Sequence, residues 1–150
     1  LRQRTVVSGA PVRVRDLRER IVQTLAFEVL GVLLIAPLYG FVSGASGSES
    51  FKLIVALSVV VMAWSAAFNS AFDRFEARRK QRVASARPTS ARLVHALGHE
   101  LGATIVSWPV IVWMTGMGWW QALFADVALS LVYAAYAYLF HLGFDRLRPV

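Results

Sequence analysis

Residues 20–37, RIVQTLAFEVLGVLLIAP, return as residues 92–109, RLVHALGHELGATIVSWP, at an offset of 72 positions. The match continues without a gap to Phe72-Asp73-Arg74, which corresponds to Phe144-Asp145-Arg146. About 16 of roughly 60 paired positions are identical, and many others exchange one apolar residue for another. Each copy contains two long apolar stretches, with a lone glutamate in the first. The sequence therefore predicts two tandem copies of a two-helix unit.

The apolar content indicates a membrane protein. Of the 150 residues, 57% are hydrophobic and the mean hydropathy is +0.53, which is more apolar surface than a soluble domain of this size can bury. Four segments have the length needed to cross a bilayer core, at about residues 21–42, 51–72, 93–114 and 121–144. We predict an all-α membrane protein whose four transmembrane helices form two parallel two-helix repeats.

The copies divide the chain into four parts. A basic tail, 1–17, precedes the first repeat, 18–78, and a basic connector, 79–89, leads to the second repeat, 90–150. An axis along the membrane normal should relate the parallel repeats, so that helices one and three face each other across the bundle. Residues 43–48 are expected to form a flexible turn. Residues 115–120 should form a tighter one, with an interfacial belt of Trp113, Trp119 and Trp120.

Basic residues indicate the orientation. Fifteen of the sixteen Lys and Arg residues precede the first span, lie between the second and third spans or follow the fourth, and only Lys52 lies on the other side. The positive-inside rule then places both termini and the connector in the cytoplasm. The net charge of +7 is explained by this topology. We expect no nucleic-acid partner, because the charges flank hydrocarbon-length segments instead of forming one basic surface.

Glu28 and Glu100 lie about seven residues into predicted helices one and three, roughly 10 Å below the cytoplasmic surface at 1.5 Å per residue. Burying a carboxylate is costly, so the protonated form is favoured, and both residues are candidates for coupling protons to an organic cation. The alternative is a structural role, in a hydrogen bond between helices or a pair with His95 or His99. Asp126, near the outer end of helix four, is expected to be simply hydrated.

Other residues shape the surroundings of the two acids. Pro37 and Pro109 each follow a glutamate by nine residues and are hinge candidates, since proline frees a helix carbonyl. Gly98 and Gly102 form a small-residue groove for close packing. Aromatic residues in helices two and four offer ring faces to an organic cation, although such stripes are more often packing. These are Trp64, Phe68, Tyr136 and Phe140.

A membrane enzyme is the less favoured class. His95 and His99 are four residues apart with Glu100 adjacent, a spacing that can place two imidazoles on one metal. The zinc-protease pattern fails, however, because position 103 is alanine. Three histidines are too few for the di-iron site of a membrane desaturase. We therefore expect no metal, no cofactor and no catalytic residues.

The two copies resemble the proteobacterial antimicrobial compound efflux family, built from two bacterial transmembrane pair domains. Each copy in that family carries Arg, His-Ala and Phe-Glu in its first helix, then Trp-Asn, Asn and Phe-Asp in its second. The first copy here reads Arg20, Gln23-Thr24, Phe27-Glu28, Trp64-Ser65, Asn69, Phe72-Asp73. The second reads Arg92, His95-Ala96, His99-Glu100, Tyr136-Ala137, His141, Phe144-Asp145. The resemblance covers about residues 18–148.

Five of the departures from the family pattern stand out. They bear on the range of substrates more than on the fold. They are Gln23 in place of His, His99 in place of Phe, Ser65 and Ala137 in place of the first Asn, and His141 in place of the second.

The resemblance implies a secondary transporter that exchanges protons for cationic, often aromatic biocides such as chlorhexidine, acriflavine or quaternary ammonium compounds, and for short-chain diamines. The family's essential acid corresponds to Glu28. Candidate substrate contacts are Phe27, Trp64, Phe68, Asn69 and Tyr136. Structural or cytoplasmic-end motif positions are Arg20, Arg92, His95, Asp73 and Asp145.

Four short helices leave little room for a pathway within one chain, so transport is expected to need a homodimer. Besides the second copy, the expected partners are the organic cation, protons and membrane lipid. The alternative function is a non-transporting scaffold or assembly partner of the inner membrane, whose acids only pair helices.

The topology gives a first prediction. A cysteine introduced at Ser85 should be protected from an impermeant thiol reagent in intact spheroplasts, while one at Ser46 should react, because fifteen basic residues hold the Ser85 side in the cytoplasm. Equal labelling of the two cysteines would contradict this orientation.

Overall fold

A computed structural model describes residues 15–82 and 86–149. Within these residues the chain forms four α-helices: α1 (Leu17–Ser43), α2 (Gly47–Arg79), α3 (Thr89–Thr115) and α4 (Trp119–Leu147). The predicted fold class is confirmed. Each helix is longer than its predicted apolar span, because the polar flanks remain helical. Residues 1–14, most of the predicted basic tail, and residues 83–85, including Ser85, lie outside the described residues.

The two copies share their helix boundaries. Helix α1 begins at residue 17 and ends at 43, and α3 begins at 89 and ends at 115, a shift of 72 at both ends. Helix α2 begins at 47 and α4 at 119, again a shift of 72. Helices α1 and α3 both stop at a left-handed glycine, Gly44 at φ 75° and Gly116 at φ 70°, a backbone conformation that glycine adopts without strain.

Both turns are short and hydrogen-bonded. The first occupies only residues 44–46, and Ser46 forms a capping box with Glu49, through contacts of 3.1 and 3.2 Å. The prediction of a flexible turn over residues 43–48 was therefore too long, because Gly47 and Ser48 already belong to α2. In the second turn, the main-chain N–H of Met117 donates to the hydroxyl of Thr115 at 3.2 Å. The indole of Trp108 donates to the carbonyl of Trp119 at 2.6 Å.

The four helices form a ring. Helix α1 packs against α2 and α4, and α3 packs against the same two helices, so that α1 and α3 occupy opposite positions. We call the end with the connector and the described chain ends the basic end, and the end with the two turns the turn end. Near the basic end, side-chain contacts join different copies, α1 with α4 and α2 with α3.

The outer faces of the ring are apolar. Large aliphatic side chains are exposed at matching positions of the two copies, including Leu25 and Leu97, and Leu33 and Ile105. Helices α1, α2 and α4 are long and apolar enough to cross a membrane. Helix α3, which unlike α1 carries two histidines, is not among them, and it packs between α2 and α4. Lipid is the solvent that suits this surface.

Candidate functional site

Glu28 lies half-buried on α1 among hydroxyl groups from two other helices. The hydroxyl of Ser58 on α2 lies close to its carboxyl group. Tyr133 of α4 interacts electrostatically with Glu28, and its hydroxyl lies 3.5 Å from that of Ser58. The carboxyl group therefore has neutral partners that can donate to a carboxylate or accept from a carboxylic acid.

The two glutamates occupy equivalent places in their helices. Both Glu28 and Glu100 lie eleven residues after the first residue of their helix, since α1 and α3 begin at residues 17 and 89 instead of 21 and 93. At 1.5 Å per residue this places them roughly 16 Å from the basic end of the helix. The acids therefore lie well inside the bundle along its axis.

An aromatic cluster adjoins Glu28 at the seam between α1 and α4. The ring of Phe27 lies 5.0 Å from that of Tyr136 and 5.3 Å from that of Phe140, and it stacks on the imidazole of His141 at 5.8 Å. The hydroxyl of Tyr136 donates to the main-chain carbonyl of Phe27 at 2.7 Å. The structure thus brings together Phe27 and Tyr136, two of the predicted substrate contacts.

The matching cluster lies at the seam between α2 and α3. The indole of Trp64 donates to the main-chain carbonyl of His99 at 3.0 Å, which is the counterpart of the Tyr136 bond to Phe27 shifted by 72 residues. Phe68 lies 5.4 Å from Trp64 and 5.2 Å from His95, between ring centroids. The second pair of predicted substrate contacts is therefore also brought together.

Trp64 and Phe68 fill the predicted small-residue groove. A Cβ atom built on Gly102 would lie 1.9 Å from the Trp64 ring, and one on Gly98 would lie 3.1 Å from the Phe68 ring. The α2 rings therefore rest directly on the backbone of α3. This contact requires glycine at position 102.

Two of the departures from the family pattern are partners of each other. In the second copy, His95 bonds through Nε2 to Oδ1 of Asn69 at 2.9 Å. At the equivalent place between α1 and α4, Nε2 of Gln23 bonds to Nδ1 of His141 at 3.0 Å. The amide and the imidazole have exchanged helices, so the hydrogen bond between copies is kept. The sequence contained a signal for this bond, because Gln23 and His141 are the counterparts of His95 and Asn69 at the 72-residue offset.

Glu100 has a different environment from Glu28. Its side chain is 67% exposed, and its Oε1 lies 3.8 Å from Nδ1 of His99. The other ring nitrogen of His99 bonds to the hydroxyl of Ser65 at 2.8 Å, so Ser65 in place of the family's Asn still reaches α3. The two glutamates are equivalent in the repeat but unequal in burial.

Asp126 is buried, and the prediction that it is simply hydrated was wrong. Its side chain lies against α3, with Oδ1 and Oδ2 at 2.8 and 2.7 Å from the hydroxyl of Ser107, and it is only 4% exposed. The error arose because Asp126 lies seven residues into α4. Asp126 therefore lies roughly 10 Å from the turn end of α4, at a level where α3 covers it.

Crossed ion pairs join the copies at the basic end. Arg15 bonds to Asp145 at 2.6 Å, and Arg87, its counterpart at the 72-residue offset, bonds to Asp73. Each guanidinium also lies 4.9 Å from the centroid of a phenylalanine ring, Phe144 for Arg15 and Phe72 for Arg87. The prediction had named both aspartates but neither arginine. The signal was available, because Arg15 and Arg87 are identical residues of the repeat.

Arg20 and Arg92 support these arginines. The Nε of Arg20 donates to the main-chain carbonyl of Arg15 at 3.3 Å, and that of Arg92 donates to the carbonyl of Arg87 at 3.1 Å. These two predicted motif residues therefore hold the chain segment that carries each cross-copy ion pair.

Glu76, near the basic end of α2, was missed in the sequence. It is 1% exposed and accepts hydrogen bonds from Arg82, at 2.7 and 2.9 Å, and from Arg87. Burial by itself raises the pKa of Glu76, but the two guanidinium groups outweigh it and hold the pKa below its ordinary value of 4.5. Glu76 thus fastens the connector to α2 as an ionised group.

Pro37 and Pro109 lie inside α1 and α3, which continue as helices beyond them. Their role as hinges stays a prediction.

Family comparison agrees with this geometry. The model of the BTP family, described as chlorhexidine efflux transporter, matches residues 15–78 and again residues 87–150. The chain belongs to this family. The two matched segments are offset by 72 residues at both ends, the same offset that separates the helices of the two copies. Family membership makes the protein a transporter and a multi-pass membrane protein.

Three relatives have the name short-chain diamines transporter. The protein of Acinetobacter baylyi is 27% identical over 130 residues, 87% of this chain and 89% of the relative. Those of Vibrio parahaemolyticus and Acinetobacter baumannii are 26% and 25% identical, over 87% of this chain and 91% and 88% of the relatives. No solved structure matches the chain.

The groove around Gly102 gives a second prediction. Gly102→Ala should lower the thermal unfolding temperature in detergent, because the Trp64 ring must move and lose its bond to His99, an overpacking cost of about 1–3 kcal/mol. The matched control is Gly143→Ala, since a Cβ there meets no atom within 4 Å. The control should be neutral or stabilising by up to about 1 kcal/mol from helix propensity. Equal effects of the two variants would refute the close contact.

The Glu76 cluster gives a third prediction. Because its folded pKa is depressed, the cluster adds stability above the unfolded value of 4.5, and this stability is lost as pH falls through the folded pKa. Glu76→Gln should therefore unfold at lower temperature than the wild type at neutral pH, and the difference should shrink in acid. Glu19→Gln, with the same charge change in the first turn of α1, is the control. A difference that is independent of pH would contradict the ion-pair account.

Proposed function

We propose that this protein is a proton-coupled exporter of organic cations, and that the carboxyl group of Glu28 holds either a proton or the cation. The observation that carries the proposal is the half-buried position of Glu28 between hydroxyl groups of α2 and α4. Neutral partners leave the charge of the carboxylate uncompensated. A proton or an organic cation can supply the missing positive charge.

The proton flux and the cation flux are coupled because Glu28 holds one or the other but not both. If a cation displaces the proton when Glu28 is open to one side, and a proton displaces the cation when it is open to the other, each turnover exchanges the two. The transmembrane potential contributes about 2.3 kcal/mol per charge per 100 mV to the inward movement of a proton. Secondary active transport therefore needs no cofactor.

The aromatic cluster beside Glu28 suits the substrates of the family. Ring faces attract cations, most strongly where water is excluded, and they also stack with flat organic groups. Phe27, the residue before Glu28, packs with Tyr136 and Phe140, and the three rings supply such faces at the seam between α1 and α4. A biguanide biocide such as chlorhexidine and a short-chain diamine share protonated nitrogens joined by an apolar spacer, and we propose both classes as substrates.

The membrane orientation follows from the basic residues. We propose that the basic end faces the cytoplasm of a bacterial inner membrane, so that a cytoplasmic cation approaches Glu28 from that end. A homodimer is the proposed working unit, because the ring of four helices leaves little room for a pathway within one chain.

The fourth prediction compares the two glutamates. Glu28→Gln should reduce export of chlorhexidine and of a short-chain diamine to the level of cells without the protein, because the amide keeps the volume and removes titration. Glu100→Gln should retain measurable export, since its exposed side chain already lies beside His99. Export and cation-induced proton release should be measured for both variants at equal expression and over a range of pH.

Two outcomes would contradict this assignment. Normal export by a well-expressed Glu28→Gln variant would remove Glu28 from the coupling step, whereas absence of export by the wild type would favour a scaffold function. Loss of proton release in the Glu100 variant alone would exchange the roles of the two glutamates.

A further inference from the structure

The buried pair of Ser107 and Asp126 is a polar interruption of the core. Both side chains are buried, at 3% and 4% exposure, and they join α3 to α4 on the turn-end side of Tyr133. Asp126 lies ten residues before Tyr136, the residue that contacts the main chain beside Glu28. At 1.5 Å per residue, Asp126 is therefore about 15 Å from the level of Glu28 along α4.

The first copy shows that the fold does not need this pair. The counterparts of Ser107 and Asp126 at the 72-residue offset are Ile35 and Ile54, which are equally buried and belong to one hydrophobic cluster between α1 and α2. Two isoleucines therefore fill this position of the repeat. Burying a carboxyl group with a single hydroxyl partner costs free energy that an apolar pair avoids. A role beyond packing accounts for the presence of the Ser107–Asp126 pair in the second copy.

The hydrogen-bond geometry accommodates a proton on Asp126. The Ser107 hydroxyl lies 2.7 Å from the main-chain carbonyl of Ala103, as well as 2.7 and 2.8 Å from the two carboxyl oxygens. One hydroxyl has a single hydrogen to donate. If Asp126 is protonated, it donates to Ser107, and Ser107 donates to Ala103. If Asp126 is ionised, Ser107 rotates its hydrogen toward the carboxylate.

The surroundings on every helix favour exchange of that proton over a permanent charge. Leu129, one turn along α4, packs against both apolar clusters, which contribute Ile35 from α1 and Leu53, Ile54 and Leu57 from α2. From α3, the exposed carboxyl group of Glu100 interacts electrostatically with Asp126, and like charges that interact disfavour ionisation of both groups together.

Polar residues continue from Asp126 toward Glu28. Ser130 and Tyr133 follow Asp126 by four and seven residues, on the same face of α4. Tyr133 in turn interacts with Glu28. Helix α4 thus carries a polar face that runs from one acid to the other.

We propose that Asp126, hydrogen-bonded to Ser107, is a second proton-binding site of the transporter, in the turn-end half of the bundle and separate from Glu28. The proposal rests on the proton-coupled function in one respect, namely that this proton is released and rebound during transport. The existence of the proton itself does not depend on that function. The two can therefore be measured apart.

The first measurement is an infrared pH titration of the protein in lipid, which detects the carbonyl stretch of each protonated carboxyl group. Asp126→Asn should lose one titrating band and Glu28→Gln another, and the double variant should lose both. Ser107→Ala should shift the Asp126 band, because its hydrogen-bond partner is gone, and leave the Glu28 band in place. Absence of a titrating band assigned to Asp126 would overturn the proposal.

The second measurement is export of the short-chain diamine cadaverine from proteoliposomes, with proton release on its addition. The double variant Ser107→Ile/Asp126→Ile installs the apolar pair of the first copy, and should fold with wild-type thermal stability or better but lose export. Asp126→Asn should release fewer protons per chain than the wild type. Wild-type export by the double isoleucine variant would show a merely structural pair and overturn the proposal.

Failure of the proposed function has a different signature. In that case Glu28→Gln exports cadaverine normally and cadaverine leaves the Glu28 band unchanged. The Asp126 band and the double isoleucine variant still decide the second site.

Discussion

Two hydrogen bonds from aromatic side chains to main-chain carbonyls hold the copies in register. Tyr136 donates to the carbonyl of Phe27 and Trp64 to that of His99, each one residue before a glutamate. No water competes for these groups in the hydrocarbon region, so each donor keeps its carbonyl and each seam keeps its register. The positions of Glu28 and Glu100 follow, because each is attached to a backbone that the facing helix holds.

The two copies share this backbone arrangement but differ in the residues that surround their glutamates. Tyr133, which places a hydroxyl near Glu28, has Val61 as its counterpart, and Phe27 has His99. The same substitutions that enclose Glu28 therefore leave Glu100 exposed and beside an imidazole. At the turn end the inequality is reversed, since the second copy carries the buried acid where the first carries isoleucine. Duplication supplied the frame, and later substitutions at a few paired positions made the two halves different.

The fold could be predicted from the sequence because its signals are local and repeated. Apolar length and the 72-residue offset specify four helices and their order, and a left-handed glycine ends α1 and α3 at the same register. Contacts between copies could not be predicted in this way. The exchange of amide and imidazole between Gln23 with His141 and His95 with Asn69 becomes apparent only when the seams α1 with α4 and α2 with α3 are known.

Burial of single residues was the least predictable property. Distance from a helix end suggested that Asp126 reaches water, whereas the facing turn of α3 covers it. Glu76 was not singled out in the sequence, but Arg82 and Arg87 cover it in the structure. In both cases the deciding group belongs to another segment of the chain, and no local pattern reports its approach.

The partners of the three enclosed acids show which can exchange a proton. Glu76 is held by two guanidinium groups, whose fixed positive charges keep it ionised. Glu28 has the hydroxyls of Ser58 and Tyr133 near it, and Asp126 has that of Ser107. A hydroxyl can donate to a carboxylate or accept from a carboxylic acid, so it fits either protonation state without a change in side-chain position. In this bundle an acid with arginine partners suits a structural role, and an acid with hydroxyl partners suits the proton exchange that we propose for Glu28 and Asp126.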